Sequence, residues 1–250
     1  MSGIERASAD NVIVSSDQAL RILGSGTITV LGLLPYSSNY TFLARAEHED
    51  QEALAVYKPR RGERPLWDFP PGSLAAREVA AWLVSEASGW RIVPPTVLRE
   101  DAPLGEGSVQ LFIQHDPDRH FFVVMEERLH ELGVFAAFDA VVNNADRKGG
   151  HVLEDMSGRL WGVDHGLCFN DQPKLRTVIW QFAGESFGPD VRAALEALRS
   201  QLAAGALNRR LAQLLNPQEV AATAERVDAL LATGRWPAPQ GDRPLPWPLV

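Results

Sequence analysis

The sequence predicts an α+β chain with a small antiparallel β-rich N-terminal lobe and a mainly helical C-terminal lobe. Three observations lead there. Short β-branched and aromatic runs separated by turn residues fill the first half. Leucine stripes at helical spacing fill the second. Between them lie two short carboxylate-bearing turns, Asp146–His151 and Asp164–Gly166. The expected boundaries are residues 1–114 for the β lobe and 115–250 for the helical lobe, together forming one domain with a cleft between the lobes.

In chain order, Ser16 precedes a short helical pattern through Ala19, Leu20 and Leu23, stopped by Gly24. Thr27–Leu31 reads as a strand. After the turn cluster Pro35–Asn39, Tyr40–Ala46 and Ala53–Tyr57 read as two more, joined by the charged turn His48–Glu52, so a three-strand meander is expected. Arg60–Gly72 is rich in Pro, Gly and Arg and reads as a loop. Ser73 then caps a helix through Leu74, Val79, Trp82, Leu83 and Glu86 that stops near Gly89. Val97 and Val109–Ile113 complete the strand candidates.

In the second half, Leu129, Leu132, Phe135, Ala136 and Val142 keep helical spacing up to Asn143. Val152-Leu153 and Leu160–Val163 are short β segments around the turn Ser157-Gly158. Three helices follow, on Val191–Leu202, on Leu207–Leu215 up to Asn216-Pro217, and on Val220–Leu231 closed by Gly234. The proline-rich tail after Trp236 reads as an extended strap or a loose end.

Composition narrows the function classes. The 250 residues are 45% apolar and carry a net charge of −8. That charge argues against nucleic-acid partners and anionic membranes. No apolar run approaches the roughly 20 residues of a membrane helix, Met1–Asp10 lacks the apolar core of a signal peptide, and the single cysteine, Cys168, forbids an intrachain disulfide. A cytoplasmic protein is expected.

The chemistry concentrates in Asp146-Arg-Lys-Gly-Gly-His151 and Val163-Asp-His-Gly166. A β hairpin through Ser157-Gly158 would bring Asp164 near His151, placing two carboxylates and an imidazole around one point. Phosphoryl transfer needs such a set: one carboxylate orients the attacking hydroxyl, and another, with a second ligand, holds a divalent ion on the phosphates. Lys58, at the end of a predicted strand, could supply positive charge, braced by Glu78 on the following helix. The loop His115, Asp116, Asp118, His120 has no regular ligand spacing and reads as polar surface.

These motifs resemble the kinase fold, and within it the atypical branch of phosphatidylinositol 3- and 4-kinases, especially the type II 4-kinases, and HipA-type kinases. That branch carries Asp-Arg, three residues, then Asn, where this chain has Asp146-Arg147 and then His151; its metal motif can read Asp-Asn-Gly-Leu-Ala-Phe, against Asp164-His165-Gly166-Leu167-Cys168-Phe169 here. The similarity spans roughly residues 31–182. It implies ATP as cofactor with Mg²⁺ or Mn²⁺, and transfer of the γ-phosphoryl group to a hydroxyl acceptor: protein, small molecule or lipid. It further implies Asp146 as catalytic carboxylate, Lys148 as positive charge toward the γ-phosphate, and His151 and Asp164 as metal ligands. Lys58 and Glu78 would serve the phosphates, Ser37, Ser38 and Asn39 would cover the triphosphate, and Ile113 and Gln114 would supply the adenine-contacting hinge. The segment after Phe169, with Lys174 and Arg176, would face the acceptor. His151 in place of asparagine favours Mn²⁺. Two rival readings remain: a nucleotide-binding pseudokinase, and a metal-dependent hydrolase using Asp146, His151, Asp164 and His165.

Overall fold

The structure, a computed structural model, describes residues 15–35 and 40–250. The turn residues Ser37, Ser38 and Asn39 lie outside the described residues. The chain divides into two compact units, Met1–Val79 with Pro94–Gln114, and Ala80–Val93 with His115–Val250.

The first unit is a five-stranded antiparallel sheet in the order β1-β2-β3-β5-β4. Its strands are β1 (Thr27–Leu33), β2 (Phe42–His48), β3 (Gln51–Pro59), β4 (Thr96–Arg99) and β5 (Gly107–Leu111), preceded by helix α1 (Ser16–Ser25). The meander read from the sequence is β1-β2-β3, with β1 and β3 longer than expected and β2 moved on by two residues. His48 pairs with Gln51 across a tight turn at Glu49, whose φ is +53°. The charged residues that suggested a wide turn sit instead on exposed strand ends, where the pleat lets polar side chains face water while alternate residues stay buried. The last strand is shifted likewise: β5 ends at Leu111, and Phe112 donates its N–H to Leu54 O (2.9 Å) as the chain leaves the sheet.

α1 packs on the sheet through Ala19, Ile22 and Leu23, all fully buried, against Ala44, Ala46, Ala55 and Tyr57. The small alanines let the helix approach closely. The helix closes on Gly26, where a Cβ would lie 2.5 Å from Ile22 O. Arg99 from β4 then donates Nη1 to Leu23 O (2.8 Å) and Gly26 O (2.9 Å), covering carbonyls that the helix end leaves unbonded.

Helix α2 (Leu74–Ala87) runs through the boundary between the units, and Ala80–Val93 groups with the helical unit rather than with the strands where the sequence placed it. The cause is local bonding. Ser85 Oγ accepts from the N–H groups of Ile92 and Val93, which ties the segment to itself, and the segment's end is held to the helical unit where Ile92 O accepts from Gly162 N (2.7 Å) and Trp90 meets Phe138 edge to face.

The second unit holds α3 (Phe121–Arg128), α4 (Gly133–Val142), the two-stranded sheet β6 (Val152–Glu154) and β7 (Leu160–Gly162), then α5 (Pro189–Ala204), α6 (Ala206–Leu211) and α7 (Pro217–Thr233). Helix α3 was not legible in the sequence because its run Phe121–Met125 is apolar without helical periodicity. The single helix expected over Leu129–Asn143 is a 3₁₀ turn, Leu129–Leu132, followed by α4. The helix expected over Leu207–Leu215 keeps its α-helical part only to Leu211. Phe135, Phe138, Val141, Phe169, Leu195, Leu198 and Val227 build the core. The proline tail is a strap: Pro244 O accepts from Thr177 N and Trp180 Nε1 (both 3.1 Å), and Leu249 O accepts from Gly149 N (2.7 Å).

Candidate active site

In the first unit, β3 carries Lys58 into register opposite Ser108. Its Nζ lies 2.5 Å from Glu78 Oε1 of α2, a charge-assisted bond in which Glu78 is almost fully buried and Lys58 about one quarter exposed. The structure therefore brings this sequence-selected pair together. Ile113, buried, and Gln114 follow the end of β5 on extended chain, where the first unit ends.

In the second unit, α4 ends at Asn143, which takes the left-handed conformation (φ +52°) that asparagine tolerates. Its side chain donates to Asn170 O (2.8 Å) and Gln172 O (2.7 Å) and accepts from Lys174 N (2.9 Å), tying the helix end to the chain beyond the second motif. Arg226 of α7 reinforces this by donating Nε to Val141 O (2.8 Å); burial lowers its pKa to about 10, so it stays cationic at neutral pH.

The turn that follows is built on a side chain to which the sequence drew no attention. Asp139 of α4 and Arg147 are both fully buried. Arg147 Nε contacts both Asp139 oxygens (3.1 and 3.0 Å), and Nη2 lies 2.9 Å from Oδ1. Asn144 Nδ2 (3.0 Å) and Thr177 Oγ1 (3.1 Å) complete the carboxylate's partners. Such a pair is tolerable in a dry interior because almost every lone pair and proton is used. The far side of the guanidinium donates to His151 O (3.2 Å) and Val163 O (3.0 Å), and Nη2 meets His165 Nε2 at 2.7 Å. Arg147 has only donors, so His165 Nε2 accepts and this imidazole is neutral. One buried cation thus fixes the first motif, the hairpin and the second motif together.

The chemistry-bearing side chains ride on that frame. Asp146 N donates to Asn144 Oδ1 (3.0 Å), which aims the side chain out of the core, and Asp146 Oδ2 pairs with Lys148 Nζ at 3.2 Å. Burial pushes the Asp146 carboxyl up to about 6; Lys148 and Arg176 pull against this and the charge of Asp164 adds to it. Asp164 holds φ +59°, with the preceding Val163 N bonded to His151 O (3.0 Å). His151 Nε2 lies 3.4 Å from Asp164 Oδ2. Asp164 is about half exposed and His151 largely covered.

His151 and Asp164 fit a divalent ion. With metal–donor bonds of about 2.1 Å, two donors 3.4 Å apart subtend about 110°, an angle that one ion can span. A cation on Nε2 requires the ring proton on Nδ1, which gives up the weak 3.4 Å contact from Lys148 N–H. Among the described residues no group of three or more His, Cys, Asp or Glu side chains is arranged to hold a metal. A two-donor set suits ions completed by phosphates and water. The four-residue hydrolase constellation is not assembled, because His165 is turned into the core against Arg147. The loop His115–His120 supplies a turn, Asp118 N to Asp116 Oδ1 (3.0 Å), and the residue ahead of α3.

No family model matches the chain. Protein Rv2133c of Mycobacterium tuberculosis is 38% identical over 267 aligned positions, covering 93% of this chain and 95% of that protein. The chain belongs to the family of Rv2133c. That name carries no activity. Phosphatidylinositol 4-kinase gamma 4 of Arabidopsis thaliana is 29% identical over 182 positions, 60% of this chain and 32% of that protein, so the match spans about a third of the plant enzyme. Among solved structures, hydra Fam20 with sugar aligns with a TM-score of 0.55 at 15% identity, covering 90% of this chain and 89% of that one. The Golgi casein kinase with Mn/ADP bound aligns at 0.52 and 14% identity, covering 87% and 75%. The fold of this Rv2133c relative is therefore the bilobal, kinase-like one expected from the sequence.

Among the described residues no helix is long and apolar enough to cross a membrane. Sequence reasoning passed over Asp139, Asn144 and Thr177. The one available signal was an aspartate on the otherwise apolar run Val134–Val142, where an unpaired carboxylate could not be buried.

Proposed function

We propose that the protein is an ATP-dependent phosphotransferase related to the phosphatidylinositol 3-/4-kinase-like branch, moving the γ-phosphoryl group to a hydroxyl acceptor. The observation that carries this is the 3.4 Å approach of His151 Nε2 to Asp164 Oδ2 on the frame that presents Asp146. The plant 4-kinase match supports the branch, and the casein kinase solved with Mn/ADP supports nucleotide and a divalent ion.

In this reading His151 and Asp164 hold Mg²⁺ or Mn²⁺, which when bound neutralises phosphate charge. Asp146 orients the acceptor hydroxyl and takes its proton; a carboxyl near 6 is ionised at neutral pH yet basic enough to accept. Lys148, 3.2 Å from Asp146, offers charge toward the γ-phosphate. Lys58, oriented by Glu78, supplies a cation to the phosphates, and Ile113 and Gln114 contact the base.

The test is ADP formation from ATP with Mg²⁺ or Mn²⁺ by the wild-type chain, with Asp146→Ala and Asp164→Ala alongside. Metal-dependent turnover lost in both variants is expected. A protein that neither binds nor turns over ATP sinks the reading. A nucleotide-binding module without turnover is the second reading, favoured by the imidazole at position 151 where the related kinases carry an amide; ATP binding with no ADP formation under either ion would select it.

A further inference from the structure

The helical unit contains a cavity of about 940 Å³ that the roles above do not use. One wall is α7, from Ala222 to Thr233. A second is the chain after the Asp164 motif, from Asp171 to Arg176. The third is the strap from Arg235 to Arg243, held in place where Pro244 O accepts from Thr177 N and Trp180 Nε1. Its size is that of a pocket for a small molecule.

Arg176 links the cavity to the catalytic turn. Its N–H donates to Asn144 O (2.8 Å) and its carbonyl accepts from Arg147 N (3.0 Å), so its backbone is stitched to the chain on both sides of Asp146. The side chain lines the cavity and is half-buried; its charge acts on Asp146, and among the described residues its guanidinium donates no hydrogen bond. A half-buried guanidinium whose donors are not taken by the protein can offer a ligand its planar fork, next to the carboxylate its charge already acts on.

The rest of the lining has the same sign. Lys174, Arg176, Arg226, Arg235 and Arg243 face Asp171, Glu225 and Asp242, an excess of cations in a chain whose net charge is −8. Arg226 and Arg235 are already committed to backbone carbonyls, Val141 O and Gly184 O. The donors of Arg176 are not.

We propose that this cavity is the acceptor pocket, and that it takes a small, soluble hydroxyl compound bearing a phosphate or carboxylate group that Arg176 binds. The proposal rests on the reading of Asp146 as the catalytic carboxylate. With the anionic group on Arg176, the ligand's hydroxyl is delivered beside Asp146. The hydroxyl oxygen then bonds to the γ-phosphorus, the bond from that phosphorus to the β,γ-bridging oxygen breaks, ADP leaves with the electron pair, and the hydroxyl proton passes to Asp146.

The test titrates the full chain with 3-phosphoglycerate and with sn-glycerol 3-phosphate by calorimetry. Glycerol serves as the uncharged control, and phosphatidylcholine vesicles with and without phosphatidylinositol serve as the lipid arm. Expected are binding of at least one phosphate-bearing probe, a tenfold or greater loss in Arg176→Ala, partial recovery in Arg176→Lys, binding retained in Asp146→Asn, and no response to glycerol. Probe binding unchanged by Arg176→Ala, binding of neither probe, or Arg176-dependent binding of phosphatidylinositol vesicles alone would overturn it. ADP formation is measured in the same samples. Turnover without any Arg176-dependent binding sinks the pocket and leaves the kinase reading standing. Arg176-dependent binding by a chain that never forms ADP sinks the reading of Asp146, and the acceptor role falls with it.

Discussion

Asp139 and Asp146 stand on the same short stretch of chain, and the structure gives them opposite duties. Asp139 is fully buried, and its oxygens are matched by Arg147, Asn144 and Thr177. Asp146 keeps a quarter of its side chain exposed and meets one cation, Lys148, at 3.2 Å, and its carboxyl is pushed up to about 6. A saturated carboxylate cannot take a proton or a ligand without loss to the fold. An under-matched one near solvent can. The comparison separates the residue that holds the site from the residue proposed to act in it.

The largest effect expected from this contrast is on stability. Asp139→Ala leaves the Arg147 cation alone in the core and should cost about 3–5 kcal/mol, read as a lower urea midpoint. A loss under about 1 kcal/mol would erase the distinction, since that is the range of exposed pairs. Asp146→Ala should instead show no drop in its urea midpoint and lose roughly 10²–10⁴-fold in ATP turnover, the usual worth of a positioned acid–base group.

Lys58→Ala should lower kcat/KM for ATP by about 10- to 100-fold, as expected for a charge-assisted bond of about 1.5–3 kcal/mol. A hydrolase acting through Asp146 and Asp164 would not respond. Next comes the pH profile of stability. The Asp146 carboxyl sits near 6 folded and about 3.9 unfolded. Between those values the folded chain keeps a proton that the unfolded chain has lost, so stability falls as pH rises through that window. Asp146→Asn should therefore raise stability at pH 7.5, by up to about 3 kcal/mol, with the gain gone near pH 4. A pH-independent difference between the two chains would contradict it. The smallest effect is on metal choice. His151→Asn should lower the Mn²⁺/Mg²⁺ activity ratio a few-fold, and an unchanged ratio would remove His151 from the metal set.

Much of this was readable along the chain. The β1-β2-β3 meander, the stop of α4 at Asn143, the hairpin through Ser157-Gly158, and the turns carrying Asp146 and Asp164 follow from local signals: β-branched runs, glycine and asparagine at turn positions, and leucine spacing. Elements whose limits depend on packing were misjudged. α3 is apolar without a period and is fixed by burial of Phe121 and Val124. Ala80–Val93 joins the helical unit through the Gly162 N–H and the Trp90–Phe138 ring contact, contacts that no periodicity announces.

By itself the sequence determined the kinase-like plan, because turns and amphipathic stripes are local and additive, and it determined which residue types could carry phosphoryl-transfer chemistry. Tertiary structure decided what each charged residue does. Burial and partners, not identity, set the state of a carboxylate or an imidazole. Asp139 became a strut, and His165, a neighbour of Asp164 in sequence, was drawn into the core by Arg147. Asp146 and His151 were left at the rim of the buried frame. The strap, readable only as a run of prolines, closed over a cavity with Arg176 in its wall.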